Sequence, residues 1–366
     1  ITMSSESLNT FSPNWVSPPG ETILDVLEER GWSQAEFAVR VGFTKKHVNK
    51  LVNGSASISD DTAIRLERVL GGTASFWLTR EAHYRESLAR IDEAESLQSQ
   101  VSWLDELPLS HMVKFDWVKR CRDKADQVAE CLRFFGVASV DAWRKRYERP
   151  IVAFKASETQ RMEPGPAAAW LRKCEIDAER IESAPFDAKG FRNALKEIRE
   201  LSREQRVEVF VPQLVELCES VCVAVVFVPS PKGCPVTGAT KWLTSDKPLL
   251  ALSLRFKSND HLWFAFFHEA GHILLHGKKL VFLEFNGSHD REMEDEADRF
   301  AQDQLIPPKL AKDLEYLGHS KAAICEFADR ARIAPGIVVG RLQKHFGLPW
   351  NTRLNRLKAR NEWKLN

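Results

Sequence analysis

FHEAGHILLH, residues 267–276, sets two histidines four apart, with a glutamate directly after the first, inside an otherwise apolar run. On an α-helix, residues four apart lie about 40° apart around the axis and about 6 Å along it. His268 and His272 therefore reach one metal ion from one face of the helix, and Glu269 points into the same cleft. This is the H-E-x-x-H arrangement: two imidazoles ligate zinc, and the glutamate is the general base toward a water that the metal activates. Zinc lowers the pKa of such a water to about 7, which supplies hydroxide at neutral pH. The helix is predicted over SNDHLWFAFFHEAGHILLHG (258–277), with Ser258, Asn259 or Asp260 capping its start and Gly277 suited to its end. The competing reading is a core helix with satisfied histidines, whose buried polar groups would each require a partner.

A catalytic zinc site takes a third protein ligand. SHDREMEDEADRFAQDQLIPP (288–308) predicts a second helix, stopped by Pro307 and Pro308. Glu294 and Asp298 stand four apart on one face of it. Glu294 completes a His-His-Glu set, and Asp298 accepts the free N–H of a ligating histidine. Glu292, Glu296, Glu284, His289 and His276 are rivals for the third position. Glu296 points about 200° away from Glu294 around the helix, and His276 sits at the exit end of the motif helix. Asp295 and Glu296 read as a solvated face.

Strand signals precede the motif helix. VCVAVVFV (221–228) is β-branched, GATKWL (238–243) reads as a short strand, and LLALSLRF (249–256) alternates. If LLALSLRF were an exposed edge, an extended peptide would pair with it and lay its scissile carbonyl near the metal; the alternation of Leu250, Leu252 and Leu254 is equally what a plain core strand shows. Lys241, Arg255 and His289 are the candidates for contacting the oxyanion.

A second signal lies near the N-terminus. SQAEFAVRVG (33–42) predicts a helix capped by Ser33 and ended by Gly42; TKKHVNKLVNG (44–54) predicts the next, capped by Thr44 and ended by Gly54. The turn between them is short, as in a helix-turn-helix. Phe37, Ala38, Val41, Val48, Leu51 and Val52 would pack the pair together. Thr44, Lys45, Lys46, His47, Asn49 and Lys50 are left to face a DNA groove, with lysines on phosphate and the first turn near base edges. Residues 21–70 carry seven Lys or Arg against eight Asp or Glu, yet residues 40–54 carry Arg40, Lys45, Lys46 and Lys50 and no acid. The positive charge is focused on one helix, as a reader requires. One such unit binds weakly, so a homodimer is expected.

Composition bounds the rest. The 366 residues exceed one compact core. A net charge of +1 excludes a global field for nucleic acid or membranes, so DNA binding must be local. Seven scattered cysteines with no Cys-x-x-Cys argue against a disulfide framework or a cysteine-type zinc site, and point to a reducing cytoplasm. No secretory signal or membrane span is read. Residues 1–20, rich in Ser and Pro, read as a tail, with Phe11 and Trp15 as its packing residues.

GWSQAEFAVRVGFTKKHVNKLVNG (31–54), with ISDDTAIRLERVLGGTASFWL (58–78) after it, resembles the XRE-type helix-turn-helix of the HigA antidote group. GATKWLTSDKPLLALSLRFKSNDHLWFAFFHEAGHILLHG (238–277) and EDEADRFAQDQLIP (294–307) resemble the ImmA/IrrE metallopeptidase family. The resemblance implies a zincin-like fold with His268 and His272 as ligands, Glu269 as base and Glu294 as the glutamate of the E-x-x-A-N pattern. Asp298 stands where that pattern has Asn, a change that still leaves an acceptor. Near the C-terminus, APGIVVGRLQ (334–343) resembles the family's tail and reads as scaffold for the peptidase.

The expected fold class is α+β and mostly helical. A tail (1–20) leads to an N-terminal helix-turn-helix bundle (21–90) and a helical middle region (91–205). A zincin-like domain with a small sheet (206–310) and C-terminal helices (311–366) follow. The expected function is a DNA-binding transcriptional regulator fused to a zinc metalloendopeptidase. Its partners would be operator DNA and a repressor or antitoxin protein as substrate, or the chain itself. The runner-up is an antitoxin-like regulator whose metal domain is sensory or inactive.

Overall fold

The computed structural model describes residues 16–148, 162–181, 185–255, 258–276 and 290–360; Phe11, Trp15, Gly277, Glu284 and His289 lie outside them. The chain divides into two compact units, Ile1–Val101 and Ser102–Asn366. Both expectations of class hold: the chain is mostly helical, with one small sheet. Among the described residues no helix is long and apolar enough to cross a membrane.

Among the described residues the first unit holds five α-helices: α1 (Pro19–Glu29), α2 (Gln34–Val41), α3 (Lys45–Val52), α4 (Asp60–Leu70) and α5 (Ala74–Ser99). Side-chain caps set four starts: Ser33, Thr44, Ser59 and Thr73 accept from the backbone N–H groups of Glu36, His47, Thr62 and Phe76. Each satisfies a donor that the helix cannot, typically worth about 1 kcal/mol. Gly42 ends α2 at φ 74°, a left-handed conformation that strains a residue with a Cβ. The turn to α3 is then only Gly42, Phe43 and Thr44. All six apolar residues expected to join α2 and α3 are buried, in one core with Ile23, Leu27, Leu66 and Trp77. Gly20 lets α1 lie directly on α3, because a Cβ there would stand 1.9 Å from the Val52 carbonyl oxygen.

In the second unit, α6 (Leu109–Lys114), α7 (Lys124–Phe135) and α8 (Val140–Trp143) precede α9 (Pro164–Glu179). Ala167, Ala168 and Ala169 are buried in α9, and the Trp170 indole donates to the Val228 carbonyl at 3.0 Å, which ties this helix to the sheet. Helices α10 (Ala188–Leu201) and α11 (Val207–Glu219) add Phe191, Ile198, Phe210 and Leu214 to the main core.

The sheet has three strands, β1 (Ala224–Val228), β2 (Gly238–Thr244) and β3 (Lys247–Ser253), in the order β1-β3-β2. β1 runs parallel to β3, and β2 runs antiparallel to it. This corrects the expectation of an edge at LLALSLRF. Residues 245 and 246 turn the chain back so that β2 occupies one side of β3, while β1 occupies the other. Leu249 and Ala251 are as buried as Leu250 and Leu252, so both faces of β3 are covered and its alternation marks a core strand.

Beyond the sheet come α12 (Asn259–Gly271), α13 (Asp290–Leu305), α14 (Pro308–Ala311), α15 (Lys321–Ala331) and α16 (Pro335–His345). Trp263, Phe266, Phe267 and Ala270 of α12 are all fully buried against this core. The C-terminal helices brace α12: the Asp260 carboxylate pairs with Lys358 at 2.6 Å, and Gly340 of α16 packs against the Asp260 side chain.

Candidate metal centre

Helices α12 and α13 approach closely where side chains are small. Gly271 faces Ala297: a Cβ at 271 would stand 3.2 Å from the Ala297 Cα and 3.1 Å from Phe300 Cδ1. Glu294 and Asp298 flank that crossing point on α13, so they are carried against the histidines of α12. At His272 the helix widens into a π turn that runs to His276, a local distortion that recurs at functional sites.

The geometry brings three of the expected residues together. His268 Nε2 lies 3.0 Å from His272 Nε2 and 3.1 Å from Glu294 Oε2, and His272 Nε2 lies 3.3 Å from Glu294 Oε1. Among the described residues these form the group of donors close enough to share an ion. Zinc bonds of about 2.0–2.2 Å at tetrahedral angles separate ligand atoms by roughly 3.3–3.6 Å. The donor set therefore fits a divalent ion of that kind with little rearrangement. Glu269 is buried beside it at 7% exposure, and Thr240 of β2 donates to its Oε2 at 2.8 Å. Burial pushes the Glu269 carboxyl up, against the pull of the two histidines.

Asp298 stands where the sequence put it, 2.9 Å from His268 Nδ1. Its other oxygen meets Lys344 of α16 at 3.3 Å. The His268 hydrogen bond, opposed by burial and aided by the Lys344 charge, holds the Asp298 carboxyl below its usual range. Burial pulls the His268 imidazolium down, but the hydrogen bonds it donates to Asp298 and Glu294 prevail and raise it to about 10. A histidine raised in this way keeps its second proton well above neutral pH, directed at Glu294. At pH 8 a metal entering there must expel it, whereas a histidine near the ordinary 6.5 would already be neutral. Zinc uptake by metal-free protein at pH 8 is therefore expected to release about two protons per chain, one from His268 and most of one from a zinc-bound water of pKa about 7, read with an indicator dye in weak buffer. Release near one would mean that His268 is unperturbed.

Several side chains at the site carried no sequence signal. Thr240 and Gly238 come from β2, and a Cβ at 238 would lie 2.8 Å from Glu269 Oε1, so glycine leaves room for the carboxylate. Lys344 comes from the far C-terminal helix. Glu296 is not merely solvated, because its carboxylate meets His276 Nε2 at 3.0 Å. Lys241, a candidate for the oxyanion, pairs with buried Glu175 at 3.3 Å.

In the first unit, Lys45, Lys46, Asn49 and Lys50 are exposed along α3, and Thr44 caps it. His47 is half-buried, with its ring edge-on to Phe43 at 4.6 Å, and Asn49 accepts from Asn53 at 2.9 Å. Arg40 lies over Trp32, just before α2, and Arg65 over Phe43 of the turn, with 4.0 Å and 5.2 Å to the ring centroids.

Comparison with known families agrees with both halves. A family model described as helix-turn-helix matches residues 23–77, and one described as IrrE N-terminal-like domain matches residues 234–358. The second match takes in β2, β3 and all of α12 to α16. The chain is also similar to Virulence-associated protein I of Dichelobacter nodosus, 32% identical over 76 residues, which cover 20% of this chain and 70% of that protein.

Proposed function

Because the chain belongs to the helix-turn-helix family and carries an IrrE N-terminal-like domain, we propose that it is a transcriptional regulator with a built-in zinc endopeptidase. The observation that carries this is the convergence of His268 Nε2, His272 Nε2 and the Glu294 carboxylate, 3.0–3.3 Å apart, beside a buried glutamate. A metal site that was only structural would have no use for Glu269.

His268, His272 and Glu294 would hold the ion. Zinc, when bound, supplies a Lewis acid that polarises the scissile carbonyl and acidifies water. Glu269 accepts the proton of the attacking water and passes it to the departing amine, two transfers at one carboxylate. Burial suits it to this role, because a raised pKa brings a carboxylate toward the range where it both takes and gives protons near neutrality. The Thr240 hydroxyl holds one oxygen, and Gly238 leaves room beside the other. Asp298 fixes the His268 ring and directs its Nε2 inward.

The substrate would be a repressor or antitoxin protein, or a segment of the chain itself, and the compartment the cytoplasm. Incubation of the zinc-loaded protein alone, and with repressors encoded beside it, should yield defined fragments that a chelator prevents. Intact partners in every case would favour a regulator whose metal domain only senses.

Thr44, Lys45, Lys46, His47, Asn49 and Lys50 would meet operator DNA, with two copies of the chain on paired half-sites. Three exposed lysines per reader imply that log affinity falls with log salt at a slope of roughly −2.7 per reader. Lys46→Ala should reduce that slope by about 1 per reader, measured by titrating DNA shifts from low to moderate salt. A salt-independent affinity would remove α3 from the phosphate backbone.

A further inference from the structure

Each metal-facing histidine has a second nitrogen, and what that nitrogen meets decides how firmly the ring is aimed. For His268 the partner is a carboxylate, Asp298. For His272 it is another imidazole: His272 Nδ1 lies 2.9 Å from His276 Nδ1. His276 in turn reaches Glu296 Oε2 through Nε2 at 3.0 Å. His276 is buried, its side chain 5% exposed, and both of its nitrogens are engaged, so none is left for the metal.

We propose that His276 and Glu296 are positioning residues, an outer hydrogen-bond chain that fixes the tautomer and direction of His272. This rests on the zinc reading above. The proton positions follow from it without a free choice. If His272 offers its Nε2 lone pair to the ion, its proton must be on Nδ1. His276 Nδ1 must then accept, which puts the His276 proton on Nε2, where an ionised Glu296 accepts it. One arrangement of protons satisfies all the nitrogens, and it is the arrangement that aims both ligand lone pairs at the same point.

The π turn contains this contact. It spans His272–His276, so the ligand and its support share one widened turn. Glu296 is two residues past Glu294 on α13, on the other side of that helix, so α13 serves both histidines of the chain from different faces. The two ligands thus differ: His268 is backed by Asp298 and then Lys344, and His272 by a neutral ring and then a half-exposed carboxylate. The second arrangement delivers less negative charge to the ligand. It positions the ring more than it raises its basicity.

The test is zinc affinity by competition with a chromophoric chelator, beside the visible spectrum of the cobalt form. It uses the full chain and its His276→Leu, His276→Gln and Glu296→Leu variants. His276→Leu should bind one zinc per chain with affinity about 10- to 100-fold weaker, with a changed cobalt spectrum. His276→Gln should recover most of the loss, because its amide oxygen accepts from His272 and its NH2 donates to Glu296. Glu296→Leu should weaken binding less than His276→Leu. Wild-type affinity and spectrum in His276→Leu would overturn the proposal while leaving the zinc site standing. Equal losses in His276→Leu and His276→Gln would overturn it in favour of plain packing. A wild-type chain that takes up no zinc would overturn the proposal and the metal reading together.

Discussion

Glu269→Gln is expected to slow peptide cleavage by about 10²- to 10⁴-fold, the usual contribution of a general base, while the protein still takes up one zinc per chain. Glutamine has the same length and shape. Its amide keeps an oxygen for Thr240, which donates to the wild-type carboxylate at 2.8 Å, so the fold around the site is preserved. What is lost is the ability to accept a proton. Glu269 feels the charge of both histidines but contributes no donor to the His268–His272–Glu294 group, so metal content and rate should separate. The check is initial rate on one cleaved partner, with zinc measured in the same preparation. Equal rates in the two proteins would assign the base elsewhere.

Glu294→Ala is expected to act in the opposite order, losing the metal first and activity in consequence. A four-ligand zinc site is worth about 10–16 kcal/mol at neutral pH, so removing one ligand weakens it by about 10²- to 10³-fold. Glu294 bridges both histidines, at 3.1 Å and 3.3 Å, which makes it the residue that closes the set. Asp295→Ala is the control, because Asp295 is exposed beside Glu294 and has no place in the cluster. Dialysis against a zinc buffer followed by metal analysis distinguishes the two. Full zinc in Glu294→Ala would send the search for a third ligand to the rivals named from the sequence.

The parts of this molecule that were legible in its sequence are those set by spacing along one helix. Four-residue steps put His268 and His272 together and Glu294 and Asp298 together. The caps at Ser33 and Thr44 and the glycine at 42 marked both starts and the first end of the helix-turn-helix pair, whereas the second helix stops at Val52 with Asn53 as its cap, one residue before Gly54. What was not legible depends on which elements meet. Nothing local says that β3 has partners on both sides; that follows from β2 folding back onto it. Lys344 reaches Asp298 across 46 residues, and Thr240 reaches Glu269 across 29. Glu296 looked solvated because its helix face points away from Glu294; its partner His276 lies on the other helix, 20 residues earlier in the chain. Gly271 has a signal in hindsight, since a glycine inside an apolar helix costs about 1 kcal/mol against alanine and so marks a close approach.

The most direct measurement is zinc content beside proteolysis, wild type against Glu269→Gln, on the full chain incubated with itself and with neighbouring repressors. One zinc per chain in both, with fragments only from wild type, is the expected result. Absence of zinc from both after metal reloading would contradict it and return FHEAGHILLH to the role of a core helix.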